Sequence, residues 1–370
     1  IIFNDIKLFL NNNDILLPKF IITKQNNDYS ISGIINTDNT SLVKNDINNF
    51  INDQFLKLSI EDILFSSKND FKFKIDNKFK IKNLDIKSII DLDNLKLKNS
   101  LKLKNFFPEI KKNIIFKDHK IKLQYKKDNL SIDGEGEVFL QNKIDKINNE
   151  INKIKNDFKF NTILNISNNS FKIDLLNYKK IKDIDIRLSF KGKRKINGKL
   201  IFDIISLKEK DNIISIKDLV ISKKNRIHDM GNININYTDK YNLKNNLQIT
   251  KKSKDYLISG NSFNLDNIID KLLNSKNDKK VELFDKNFKF IFDIKKIYLD
   301  EKNNIDNLEG FLSLNKNIIY DLNLGAKFSN LKNINLTIKD NGQEKITTLF
   351  SHEAKPLVDR YKFIKGFEEG

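Results

Sequence analysis

The 370-residue chain has no cysteine and no tryptophan, and Met230 is its only methionine. Without cysteine there is no disulfide frame, no thiol nucleophile and no thiolate metal site. Three prolines and twelve glycines are few for a compact all-β protein, which needs many tight turns. Asn and Asp are left to do most of the turning. Arginine is scarce as well: of 67 basic residues only Arg187, Arg194, Arg226 and Arg360 are arginine. A net charge of +18 invites a nucleic-acid reading, but base and phosphate recognition favours the planar arginine fork, whereas lysine is a hydrated point charge common on solvated faces. Lys, Asn and Ile are also what A- and T-rich codons encode. The charge therefore reads as composition and solvated surface, with a field that favours anionic headgroups and no nucleic-acid partner. No apolar run approaches the roughly 18 residues of a membrane helix. Ile1-Ile2-Phe3 followed by Asn4 and Asp5 is neither a signal peptide nor an anchor. A start without Met and an end at Phe367-Glu368-Glu369-Gly370 read as cuts through a longer protein.

What is present is period-two alternation, which places every second side chain on one face of a strand. Phe71, Phe73 and Ile75 alternate with Lys72 and Lys74, and Ile184, Ile186, Leu188 and Phe190 alternate with Asp185, Arg187 and Ser189. The pattern returns at Ile233, Ile235 and Tyr237, at Phe288, Phe290, Phe292 and Ile294, and at Ile334, Leu336 and Ile338. Its longest run is Ile318, Tyr320, Leu322, Leu324, Ala326 and Phe328. Polar clusters separate the runs, as at Lys126-Lys127-Asp128-Asn129, Asn168-Asn169-Ser170, Lys223-Lys224-Asn225 and Asp340-Asn341-Gly342. This predicts an antiparallel meander with one apolar face, which must close as a barrel, stack as a sandwich, or curl into a trough that holds something apolar. Helical spacing marks Leu42 to Ile51, Ser262 to Ser275 and Ser351 to Ile364, whereas Gln141 to Lys155 is open between helix and strand.

Chemistry is sparse. His119, His228 and His352 lie far apart and read as ordinary surface histidines. Gly134-Glu135-Gly136 resembles a scrap of phosphate loop, but its carboxylates repel phosphate and no Lys-Ser/Thr pair follows, so a turn or bulge is the simpler reading. Asp91 and Asp93, like Asp183 and Asp185, put two carboxylates on one strand face, as any solvent-facing strand does. No Gly-x-Ser-x-Gly elbow or calcium loop occurs. The expectation is no enzyme, no cofactor and no metal.

The segment Ser351-His352-Glu353-Ala354-Lys355-Pro356-Leu357-Val358-Asp359-Arg360-Tyr361-Lys362-Phe363-Ile364-Lys365-Gly366 resembles a signature of the AsmA-like proteins, particularly their YhdP-type branch. Ser351, Glu353 and Ala354 match; Lys355 stands where the family usually has Gly, and Glu368-Glu369-Gly370 replaces its Gly-Gly turn. Ile258-Ser259-Gly260-Asn261-Ser262-Phe263-Asn264-Leu265 resembles the strand-to-helix step before the family's C-terminal region. Leu92 to Pro108 with Gly134-Glu135-Gly136 is similar to its upstream domain. The resemblance implies an elongated, curled antiparallel β-groove with a few short helices, its upstream region at residues 1–255 and its C-terminal region beginning in 256–370. It also implies a periplasmic protein, held in the inner membrane by an N-terminal helix outside this fragment, that carries phospholipid to the outer membrane, with envelope proteins as further partners. Groove-facing residues would be Phe71, Phe73, Ile75, Ile186, Leu188, Phe190, Phe288, Phe290, Phe292, Tyr320, Leu322 and Leu324, with headgroups along a lysine-rich rim. A TamB-like assembly scaffold and an exported adhesin-like β-protein are the alternatives.

Overall fold

A computed structural model describes residues 1–10, 13–25, 28–44, 59–99, 103–269, 282–340, 342–355 and 357. Strands β1 to β9 are Ile2–Leu10, Asn13–Gln25, Asp28–Val43, Ile60–Ile75, Ile81–Lys98, Asn113–Lys126, Asn129–Phe139, Asp145–Ile154 and Asp157–Ile166. Lys172–Ile173 (β10) and Tyr178–Lys179 (β11) flank a single 3-10 turn, and β12 is Ile186–Arg194. Strands β13 to β23 are Leu200–Glu209, Asn212–Ile221, Ile227–Asp229, Ile233–Thr238, Lys244–Lys252, Asp255–Asn264, Phe288–Tyr298, Asn304–Asn315, Ile318–Lys327, Asn333–Asp340 and Lys345–Ser351. Among the described residues the protein is mainly β with almost no helix, and their sheet does not close into a barrel.

The chain divides into two compact units. Unit 1 holds residues 1–171 and 185–196, and unit 2 holds 172–184 and 197–370. In unit 1 the strands pair in chain order from β1 to β9, and β12 pairs with β9, all antiparallel. In unit 2 the ladder runs β13, β14, β16, β17, β18 and on to β23, with short β15 beside β14. Among the described strands β18 pairs with β19 in parallel. The division at 255/256 carried by the resemblance falls in the β17–β18 hairpin, inside unit 2.

Turn chemistry follows from the shortage of glycine. Among the described residues nineteen non-glycine residues take positive φ, six of them Asn and five Asp, the types that tolerate the left-handed region. Lys127 and Asp128 both do so in the two-residue β6–β7 hairpin, as a primed turn requires. Within Gln141 to Lys155, open in sequence, residues 145–154 form strand β8: Ile147 and Ile151 face Leu164 and Phe160 of β9. The helix expected from Ser262 starts later. Residues 262–264 end β18, Asn264 Oδ1 accepts the backbone N–H of Asp266 at 3.0 Å, and 266–269 are helical. The rest of the segment expected to be helical to Ser275, and most of the two expected at 42–51 and 351–364, lie outside the described residues; Leu42 itself belongs to β3 and Ser351 to β23. Among the described residues no helix is long and apolar enough to cross a membrane.

Candidate functional site

Directly opposite residues of paired strands share a face, so the registers can be followed sideways across each ladder. In unit 2 one row runs Ile205, Ile216, Ile233, Ile249, Ile258, Phe292, Gly310, Leu324, Leu336 and Leu349. It crosses ten strands, and every member except Gly310 is apolar. The adjacent row on the other face reads Ser206, Ser215, Asn234, Gln248, Ser259, Asp293, Glu309, Gly325, Asn335 and Phe350. Two faces of opposite character therefore extend across the unit. The apolar row is half-buried as far as Leu336, and Leu349 in the last strand is exposed.

On either side of this row, along the strand direction, the apolar face is closed by the protein itself. Leu207, Ile214, Ile235, Leu247, Ile294 and Leu308 are buried. Beyond them comes a polar plug. Buried Glu209 accepts hydrogen bonds from the Tyr178 hydroxyl (2.8 Å), Asn212 Nδ2 (3.0 Å) and the Ile181 backbone N–H (2.6 Å). Burial, aided by this carboxylate, holds the Tyr178 hydroxyl proton well above its usual range. Asn267 donates to Asn177 Oδ1 (2.6 Å), the Tyr237 hydroxyl donates to the Leu176 carbonyl, and Asn264 donates to Asp239 (2.7 Å). At the other end, Met230, Tyr256, Phe288, Phe290 and Leu314 form a buried cluster. Asp229 borders it, accepting from the Tyr256 hydroxyl (2.6 Å) and Lys251 Nζ (2.7 Å), with Lys286 Nζ at 3.5 Å. Partial burial works against its ionisation, but the hydrogen bonds from Lys251 and Tyr256 and the Lys286 charge outweigh it and hold the carboxyl at about 2.

Unit 1 repeats the two-faced pattern with a difference. One row runs Phe3, Phe20, Gly33, Phe71, Ile86, Tyr125 and Leu130. Phe71 and Phe73 stack with ring centroids 6.0 Å apart. A second row on the same face spans all ten strands: Leu8, Ile15, Thr37, Ser67, Ile90, Ile121, Gly134, Asn149, Thr162 and Phe190. It carries no charge, yet four members hydrogen-bond, Thr37 with Ser67 (2.9 Å) and Thr162 to Asn149 (2.8 Å). The neighbouring row on the other face holds Lys7, Lys68, Lys122, Asp133, Glu150 and Lys191.

The residues expected to face a groove divide between the units. Phe71, Phe73, Ile75 and Phe190 are half-buried in unit 1, and Ile186 and Leu188 are buried there against Ile166 and Leu164. In unit 2, Phe292 and Leu324 belong to the ten-strand row, while Phe288, Phe290 and Leu322 are buried. Tyr320 is 43% exposed, because a register shift after Ser313 places Ile319, not Tyr320, opposite Leu314. Ile233 and Ile258 also belong to the row, and the isoleucines at 205, 216 and 249, which no alternating run in the sequence marks, complete it. Each of these three sits in a run too short to rank before its register is known.

His119 corrects the surface reading given to all three histidines. It is buried, its Nε2 lies 2.9 Å from the Glu137 carbonyl, and its ring meets Phe116 edge-on. Gly136 opposite leaves room for that ring, since a Cβ there would lie 2.4 Å from His119 Cδ2. The irregularity expected at Gly134-Glu135-Gly136 is a bulge in the partner strand, between Lys117 and Lys120. His228 pairs with Asp285 at 3.1 Å. Among the described residues no three His, Asp or Glu side chains gather as a metal site.

No family model, no curated protein and no solved structure matches the chain.

Proposed function

We propose that the protein is a non-enzymatic carrier of phospholipid, with acyl chains lying along the apolar rows and headgroups kept at the polar strand ends. The observation that carries this reading is the row from Ile205 to Leu349, nine apolar side chains on ten strands and half-buried over most of its length. Hydrocarbon laid on such a surface gains roughly 0.8 kcal/mol per buried methylene without specific polar contacts. The AsmA-like resemblance of residues 351–366 supports the same class, and with it a periplasmic setting, an anchor in the inner membrane and envelope partners.

Photocrosslinking of the full chain to a phospholipid carrying a reactive acyl chain tests the proposal. Leu324→Asp is expected to lower labelling several-fold with the circular dichroism unchanged, because a half-buried row position tolerates a charge better than a core position. Undiminished labelling overturns the assignment of this face. A second reading, an assembly scaffold with a self-filled interior, is favoured by the buried Met230, Tyr256, Phe288, Phe290 and Leu314 cluster. A scaffold purifies from cells without bound lipid.

A further inference from the structure

Strand alternation in unit 1 brings one set of strand ends to a single rim: Ile2 of β1, the β2–β3, β4–β5, β6–β7 and β8–β9 hairpins, and the end of β12. Two features coincide there. The rim is strongly positive. Three of its acids are already engaged by the rim itself: Asp76 accepts the backbone N–H groups of Lys78 and Lys80 and pairs with Lys82 (3.0 Å), Asp128 accepts the Tyr125 hydroxyl (2.9 Å), and Asp157 pairs with Lys195, while Asp28 of the β2–β3 hairpin adds one negative charge in the field of Lys82. Lys78, Lys80, Lys127, Lys155 and Arg194 have no ion-pair partner among the described residues. The opposite rim mixes signs, with Glu61, Asp62, Glu109 and Asp145 among its lysines.

The same rim presents large apolar side chains to solvent. Phe79, at the tip of the β4–β5 hairpin, is 88% exposed, Ile196 beyond β12 is 73% exposed, and Ile154 at the β8–β9 turn is 50% exposed, with Ile81 also open. Burying none of these helps the unit's own core. Apolar tips set among unpaired lysines fit the bilayer interface, where hydrocarbon side chains enter the acyl boundary while cations meet anionic headgroups. They fit nucleic acid poorly, since Ile154 and Ile196 cannot stack on bases and only one of the free cations is arginine.

We infer that this rim of unit 1 docks on an anionic lipid bilayer. The inference does not depend on lipid being carried.

Co-sedimentation of the full chain with phosphatidylcholine vesicles, with or without about one third phosphatidylglycerol, tests it at about 0.15 M salt. Binding is expected to the anionic vesicles only and to weaken as salt rises. Lys80→Glu with Lys127→Glu and Lys155→Glu is expected to reduce it at least ten-fold, because three attractions to anionic headgroups become repulsions. Phe79→Ser with Ile196→Ser should reduce it by about ten-fold, from the apolar area withdrawn from the interface. Both variants change exposed tips, so their melting temperatures should match the parent. Equal binding to neutral vesicles, no binding at all, or undiminished binding by either variant overturns the inference. So does retention on duplex DNA at the same salt with the vesicles ignored. Loss of acyl-chain crosslinking alone bears on the carrier reading and leaves this one standing.

Discussion

Asp229 and Gly310 show how much single residues carry in a sheet with few alternatives. The Asp229 carboxyl is held at about 2 against an ordinary 3.8. A depressed carboxylate contributes stability that is complete above the unfolded value and is lost as pH falls toward the folded one. Its contribution, on the order of 1–2 kcal/mol after allowance for solvent screening, should therefore be intact above about pH 4 and gone near pH 2. Asp229→Asn is expected to lower the melting temperature at pH 7 and to differ little from the parent at pH 2. Equal losses at both pH values would mean that shape, not charge, matters there. Gly310 has φ of +129°, and a Cβ on it would lie 2.0 Å from the Asn323 carbonyl oxygen. Gly310→Ala should cost about 3 kcal/mol, read from urea unfolding, through backbone strain and displacement of β21. Phe290 and Leu324 look alike in sequence, yet they ask for different experiments. A charge at Phe290, 7% exposed within the aromatic cluster, unfolds unit 2, whereas one at Leu324 probes the open row.

Strands were the most legible elements. Alternation alone locates β16, β19, β21 and β22 closely, because a one-sided sheet imposes period two on every strand, but of β4 (Ile60–Ile75) it marks only the end from Phe71 to Ile75. It marks β12 as Ile184 to Phe190, whereas the strand runs from Ile186 to Arg194 and Ile184 precedes the pairing. What period two does not encode is which strand lies beside which. The ten-strand row depends on registers and on shifts such as those after Ser313 and beside Gly310, which are set by contacts between distant residues. The parallel β18–β19 pair is equally invisible locally. His119 was misjudged because its strand neighbours Lys117, Asp118 and Lys120 are polar; the bulge turns its ring inward. Segment 172–184 is short and weakly patterned, yet it carries the Tyr178 contact with Glu209. Tyr178→Phe should cost about 1–2 kcal/mol, measured by thermal unfolding, because it removes a hydrogen bond to a buried charged group.

On the scale of the whole molecule, the units do not follow one another simply along the chain. Unit 1 takes β12 from beyond segment 172–184, and unit 2 takes that segment from before β12. A fragment of residues 172–370 should therefore melt more than about 5 °C above one of residues 197–370, which lacks Tyr178 and Ile181 as donors to Glu209 and the Leu176 carbonyl that accepts from Tyr237. Equal melting temperatures would show that the segment adds nothing.

That exchange also orders events during synthesis. As the chain emerges from its N-terminus, Tyr178 appears before Glu209, and Leu176 before the Tyr237 hydroxyl that donates to its carbonyl. Unit 1 can complete its ladder once Arg194 has emerged, closing only the short excursion between Ile166 and Ile186. Segment 172–184 must then wait, its polar groups hydrated, until Glu209, Tyr237 and Asn267 have been made. A ribosome or export channel that stalled between residues 196 and 267 would hold one finished sheet and one exposed tether, and a protease would find the tether first.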